Sequence, residues 1–148
     1  MRQQKKLSDI MNPNKFVCLG AEDSAVVAAR RMMERQVGAI IVTDGGKLCG
    51  IVTERDINFR LVAIGRDPAT TSVADIMTRN PTAMAPDIAV VDALDAMQKF
   101  GYRHMPIVKN GTVIGVISLR DILIEVRKSL EQTIQDSDAF IIGSSTSH

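Results

Sequence analysis

Two stretches of the chain place a hydroxyl and a carboxylate three residues apart. They are Thr53 and Asp56 in GIVTERD (Gly50–Asp56), and Ser118 and Asp121 in GVISLRD (Gly115–Asp121). In each, an apolar run that reads as a strand gives way to a helix at the hydroxyl residue. There a hydroxyl caps the helix or bonds an anionic group, and free backbone N–H groups point outward. The carboxylate lies in the first turn on the same side. It is acceptor-only, with two oxygens, and suits the paired 2′- and 3′-hydroxyls of a ribose. The ribose-clamping carboxylate of dinucleotide folds works by the same geometry. The same residue types are also ordinary capping and dipole choices. For either stretch taken alone, the two readings stand side by side.

Other chemistry finds little support. His104 and His148 are the only histidines and make no HExxH or other metal-ligand spacing. No Ser-His-Asp or Cys-His set stands out. Neither GxxxxGK[ST] nor GxGxxG occurs, so a nucleotide would be held without those phosphate loops. The expectation is a non-enzymatic protein with no catalytic residues and no metal.

The elements that position these residues come in two copies. Asp9–Met11 recurs as Asp75–Met77, and Gly38–Asp56 aligns without gaps on Arg103–Asp121. Gly46/Gly111, Gly50/Gly115, Arg55/Arg120 and Asp56/Asp121 are identical, and most other positions swap like for like. A unit of this size buries too little surface to be comfortable alone. Two are expected to pack face to face about a pseudo-twofold axis, with two related clefts at the seam.

Each copy reads as β-α-β-β-α behind a short helix. The first has a helix over Leu7–Met11, a strand near Phe16–Leu19 and a helix over Ser24–Gln36. Ala25, Ala28, Ala29 and Met32 give the latter an i, i+3, i+4, i+7 buried face. Strands at Ala39–Thr43 and Leu48–Val52 flank Asp44-Gly45-Gly46, a hairpin signal because glycine accepts positive φ. The second copy repeats the helical face with Val90, Ala93, Leu94 and Met97, with Asp87 as expected cap. Its strands are Met105–Val108 and Val113–Ile117, around Lys109-Asn110-Gly111. Gly65–Ser72 reads as a linker. A last helix is expected from Leu119 to about Gln135, followed by a disordered Ser/Thr-rich tail from about Gly143.

Composition excludes several partners. A 148-residue chain that is 45% hydrophobic can build one good core. A net charge of +1 gives no general attraction to nucleic acid or to an acidic membrane. With 3% aromatic residues and no Trp, base-stacking platforms are disfavoured. No apolar run reaches the ~18 residues of a membrane span, and the basic N-terminus lacks a signal peptide's apolar segment. Cys18 and Cys49 form no CxxC pair and read as reduced, mostly buried residues of a cytoplasmic protein.

The duplicated unit, with Gly-h-h-[Ser/Thr]-x-x-Asp closing its second hairpin strand, resembles the cystathionine β-synthase (CBS) domain. RHMPIV followed by NGTVIGVIS and LRD is especially similar. Two in tandem resemble a Bateman module, here over about Leu7–Arg127, with nothing left over for a catalytic or transport domain. The resemblance implies an α/β (α+β) fold of two β-α-β-β-α repeats packed as one pseudo-twofold module. Its parts would be repeat 1 at 7–64, a linker at 65–72, repeat 2 at 73–127, and a helix extension and tail at 128–148.

It also implies a regulatory ligand containing adenosine: AMP, ADP, ATP or NAD(H). The main site would comprise Val17, Cys18, Tyr102, Arg103, His104, Met105, Pro106, Ser118, Arg120 and Asp121. Arg103 and His104 can reach phosphate there, Arg103 as a bidentate fork. A second site would comprise Val37, Gly38, Ala39, Thr53, Arg55, Asp56 and Thr82, with backbone and apolar walls in place of Arg103 and His104. Thr82 is placed to cross over to the first copy's site, as Val17 and Cys18 are to the second's. The repeated Arg55 and Arg120 read equally as phosphate contacts or surface ion-pair formers. The resemblance implies a homodimer acting on an unidentified effector protein. The rivals are a ligand-free dimerisation module and an S-adenosylmethionine-sensing regulator.

Overall fold

The structure, a computed structural model, describes residues 4–146 and the side chains of 4–138. The elements run α1 (Leu7–Ile10), β1 (Cys18–Leu19), α2 (Ala25–Arg35), β2 (Ala39–Asp44), β3 (Lys47–Thr53) and α3 (Glu54–Ile57). A π-helical turn at Asn58–Val62 extends α3. Then follow α4 (Val73–Ile76), β4 (Thr78–Arg79), α5 (Val90–Phe100), β5 (His104–Lys109), β6 (Thr112–Ser118) and α6 (Leu119–Thr146).

Local sequence explains most boundaries. The Ser24 hydroxyl accepts from the Val27 amide at 3.3 Å and starts α2. Gly101 ends α5 with φ of 73°, a left-handed cap that glycine takes without cost. The two hairpins turn through consecutive positive-φ residues, Gly45-Gly46 and Asn110-Gly111, as the right-handed twist of the strands requires. Ala25, Ala28 and Met32 of α2 and Val90, Ala93 and Met97 of α5 are buried, while Ala29 and Leu94 are half-buried.

One sheet has the order β1-β2-β3-β4, and β5-β6 form a second. Ala39, Ile41, Ile51 and Val113 are buried together, with Val108 and Val116 against them. This third core lies where the two sheets meet, and it makes the repeats one body. The pseudo-symmetry is visible in two matching contacts. The Met77 sulfur sits over Gly50, and the Met11 sulfur over Gly115.

Those contacts reveal an exchange that the sequence did not announce. Leu7 of α1 is buried in the core of the second repeat, with Val90, Met97 and Ile122. Val73 and Ile76 of α4 are buried in the core of the first, with Ala28, Val52 and Leu61. Backbone bonds fix both crossings: Leu7 N–H to Ile88 O (2.9 Å) and Val73 N–H to Asp23 O (2.7 Å).

The exchange corrects one expectation. Asp87 does not cap α5. The cap position is Ala89, without a side-chain bond, and the Val90 amide donates instead to Lys5 O at 2.9 Å. The crossing segment satisfies the end that a capping side chain would have served. Cys18, expected to be buried, is exposed, and Cys49 is half-buried; both are free thiols. Val17, just before the short strand β1, takes the inward place, and Cys18, its first residue, the outward one. Finally, α6 does not stop near Gln135 but continues to Thr146. The tail expected from Gly143 is therefore helical up to that residue, and 147–148 lie outside the described residues.

Candidate functional site

The two carboxylates of the repeated motif are used differently. Asp56 is buried, at 8% exposure. Its Oδ2 accepts from the Thr53 amide (2.9 Å) and the Thr53 hydroxyl (3.2 Å). Its Oδ1 lies 3.6 Å from Arg60 Nε. Arg60 in turn donates to the carbonyls of Met77 (2.9 Å) and Ile76 (3.4 Å), which end the exchanged helix α4. Asp56 thus joins a cap, an ion pair and the inter-repeat crossing.

Asp121 repeats only the cap. Its Oδ2 accepts from the Ser118 amide at 3.2 Å, and its own amide donates to Ser118 Oγ at 3.0 Å. The side chain is exposed. The place matching Arg60 is held by Glu125, which pairs with Lys5 at 2.6 Å. With no cation one turn on, the Asp121 carboxylate keeps its remaining acceptor capacity for the cleft.

That cleft runs across the seam. Its walls carry Val37, Gly38, Ala39 and Glu54 from the first repeat, and Arg103, His104, Ser118, Arg120 and Asp121 from the second. It opens to about 1660 Å³, beyond the ~300–1,000 Å³ of a small-ligand pocket. Met33, Leu123 and Ile124 form an exposed apolar flank. Lys15, Arg103, Arg120 and Arg127 outnumber Glu54 and Asp121, so the cleft favours an anionic ligand.

His104 marks the crossing point. A Cβ built on Gly38 would lie 3.0 Å from its Nε2 and 3.6 Å from the Glu54 carboxyl carbon. The imidazole occupies the space a side chain at position 38 would fill. Burial lowers its pKa from the ordinary histidine value. Glu54 and Asp121 oppose that shift, and Arg103 adds to it. The neutral ring held there can accept one hydrogen bond and donate another.

The sequence-derived residues therefore regroup. Val37, Gly38 and Ala39, expected at a second site, line the same cleft as Arg103, His104, Ser118, Arg120 and Asp121. Thr53 and Asp56 are tied to each other and are not among its lining residues. Thr82 is not among the lining residues of this cleft. Its hydroxyl lies 3.2 Å from the Tyr102 hydroxyl of its own repeat. Val17 is buried in the first repeat's core and Cys18 follows it as the first residue of β1; neither is among the residues lining this cleft. Met105 and Pro106 are buried in β5, where they form the strand behind Arg103 and His104. The repeated arginines part ways: Arg55 stacks on Phe59 at 4.9 Å, while Arg120 lines the cleft.

Sequence reasoning missed Glu54, Lys15 and Arg127 in the lining, and Arg60 as the partner of Asp56. The Asp56–Arg60 pair had a signal, the i, i+4 spacing of a helical ion pair. Among the described residues, no cluster of three or more His, Cys, Asp or Glu could hold a metal ion. None of the helices searched is long and apolar enough to cross a membrane.

The CBS-domain family model matches residues 7–63 and 73–128. The chain belongs to the CBS-domain family. It is 37% identical over 113 residues to the CBS domain-containing protein CBSCBSPB2 of Arabidopsis thaliana, covering 76% of this chain and 21% of that one. It spans about a fifth of the length of such plant relatives. It is 34% identical to YlbB of Bacillus subtilis over 119 residues, 79% of each chain. A protein with CBS domains from Burkholderia ambifaria superposes with a TM-score of 0.77 at 28% identity, covering 82% of this chain and 93% of that one. The CBS pair of MJ0100, solved with 5′-methylthioadenosine and S-adenosylmethionine, shares the fold at 23% identity. Its TM-score is 0.78, with 86% of this chain and 99% of that one covered. Tandem CBS-domain proteins are regulatory modules.

Proposed function

We propose that this CBS pair is a non-catalytic cytoplasmic regulator that binds an adenosine-containing nucleotide in the cleft of the second repeat. AMP, ADP, ATP and NAD(H) are the candidate ligands. The observation that carries this reading is the contrast between the two carboxylates. Asp56 is buried and tied to Thr53 and Arg60, while Asp121 is exposed in a cationic cleft with only its cap.

In this reading Asp121 accepts the ribose hydroxyls. Arg103 and Arg120 bond the phosphate, and the neutral His104 ring hydrogen-bonds to it. The module works as a homodimer, and ligand binding biases its packing for an effector protein. Such a bias requires different affinity for the two arrangements.

Glu54 favours a second ligand class. A carboxylate beside His104 in the same cleft suits a cationic adenosyl compound such as S-adenosylmethionine. A thermal-shift panel of AMP, ADP, ATP, NAD+, NADH and S-adenosylmethionine separates these. A ligand at 100 times its Kd adds about 2.7 kcal/mol of stability. A melt unmoved by every compound would leave a ligand-free dimerisation module.

A further inference from the structure

Beyond Arg127, which lines the cleft, α6 leaves the body of the molecule. Residues 127–138 are all exposed. Arg127 pairs with Glu131, Gln132 donates to Asp136, and Thr133 donates to the Ser129 carbonyl, all along the helix itself. A helical segment without tertiary packing is marginal in water. This one also carries Ser129, Thr133, Asp136, Ser137 and Asp138, which are weak helix formers.

Three exposed apolar residues of α6, Leu123, Leu130 and Ile134, fall on one line with the polar Arg127 and Ser137. Leu123, Arg127, Leu130, Ile134 and Ser137 recur at alternating steps of four and three residues, the seam spacing of a coiled coil. Leu123 is 46% exposed, and Leu130 and Ile134 are each 60% exposed. Charge is graded along the same stretch. Arg127 and Lys128 precede the centre, and Asp136 and Asp138 follow it.

We propose that this strip pairs with the same strip of a second copy, antiparallel about a twofold axis at the level of Gln132. In that register Leu130 meets Ile134 of the second copy, Arg127 meets Ser137, and Lys128 lies level with Asp136. Parallel pairing would set Arg127 against Arg127 inside the seam and bring like-charged ends together, which is costly. Antiparallel pairing brings the two Glu131 residues near the axis, and the 3.4 Å contact of each with its own Arg127 offsets their charge. The proposal rests on the homodimer reading and names the segment and direction that make the dimer.

Cysteine cross-linking of the full chain tests it, in a background with Cys18→Ser and Cys49→Ala. Leu130→Cys and Ile134→Cys copies, when mixed, should form a disulfide-linked dimer, while either variant alone should not. Cross-linking of each variant alone, with none preferred in the mixture, overturns the antiparallel direction. Sedimentation supplies the second arm. Leu130→Asp/Ile134→Asp should raise the dimer dissociation constant at least tenfold. Lys128→Asp should weaken the dimer, and Lys128→Asp/Asp136→Lys should restore it. A wild-type dimer unaffected by the Leu130/Ile134 double variant sinks this interface but leaves the homodimer. A wild-type monomer at micromolar concentration sinks both.

Discussion

Replacing Asp56 and Asp121 by alanine should separate folding from binding. Asp56 accepts two hydrogen bonds from Thr53, at 2.9 and 3.2 Å, from a buried position. Losing a helix cap costs about 0.5–2 kcal/mol, and a hydrogen bond to a charged group is worth about 1.5–3 kcal/mol. The Arg60 ion pair adds less, about 0.2–1 kcal/mol, because that guanidinium is half exposed. These terms share atoms and do not add in full, so Asp56→Ala should lose about 2–4 kcal/mol of stability. Asp121 is exposed and accepts one amide at 3.2 Å, so its alanine variant should lose about 0.5–1 kcal/mol. Binding should show the reverse order. If Asp121 accepts both ribose hydroxyls, its loss costs about 2–4 kcal/mol of affinity, roughly 30- to 1,000-fold in Kd. Urea denaturation at constant m-value reads the first quantity, and titration calorimetry with the nucleotide that shifts the melt reads the second. Equal destabilisation by the two variants would refute the structural reading of Asp56. Wild-type affinity in Asp121→Ala, with binding lost in a folded Asp56→Ala, would place the ligand in the other repeat.

Three further outcomes are expected. Gly50→Ala should cost about 1–3 kcal/mol, because its Cβ would meet the Met77 sulfur at 2.5 Å and the Thr78 carbonyl at 2.9 Å. Gly115→Ala should cost less, since its nearest neighbour is the flexible Met11 side chain at 3.1 Å; denaturant midpoints compare them. Leu7→Ala should lose about 2–5 kcal/mol, because that side chain is fully buried among Val90, Met97 and Ile122; an unchanged midpoint would deny the exchange of α1. The His104 pKa is lower folded than unfolded, so the unfolded chain binds the proton more readily. Its contribution to stability is full above the unfolded value of about 6.5 and is lost as pH falls from there through the lower folded value. The wild-type pH profile minus that of His104→Gln should show this fall, and a flat difference would count against a half-buried neutral ring.

The pairing of elements was legible because the chain states it twice. Glycine pairs at the hairpins, alternating hydrophobic strands and the Asp-Ile-Met repeats each reappear, and a duplicated pattern discriminates better than a single one. The exchange of α1 and α4 was not legible. Leu7 and Val73 are apolar residues in short helices, and nothing local says which of two similar cores they enter. Asp87 misled for a related reason. A capping side chain is a local signal, and the long-range bond from Val90 to Lys5 replaced it. The site was half legible. The carboxylates, Arg103 and His104 stood out by type, but their grouping depends on how the sheets meet. That meeting brings Gly38 under His104 and joins segments that looked like walls of separate clefts.

The same exchange constrains how the module could respond to a ligand. Each core is completed by a helix from the other repeat, so the repeats cannot separate without opening both cores. The Ile41–Val113 contact layer between the sheets adds to that restraint. The cleft lies over this seam, and its second-repeat side includes Ser118 at the end of β6 and Arg120 and Asp121 in the first turn of α6, beside Arg103 and His104. A nucleotide held by Asp121 and Arg120 would order that turn against Gly38 and Glu54. The same helix continues into Leu123, Ile124 and Arg127, and then into the exposed strip at Leu130 and Ile134. On the function proposed above, α6 is therefore the element that carries occupancy of the cleft outward. Binding and dimer assembly should be thermodynamically linked: a ligand that tightens the dimer must bind the dimer more tightly by the same factor. Sedimentation with and without the ligand measures one side of that linkage, and calorimetry at protein concentrations above and below the dimer dissociation constant measures the other. Factors that disagree would show that the cleft and the helix extension do not communicate in this way.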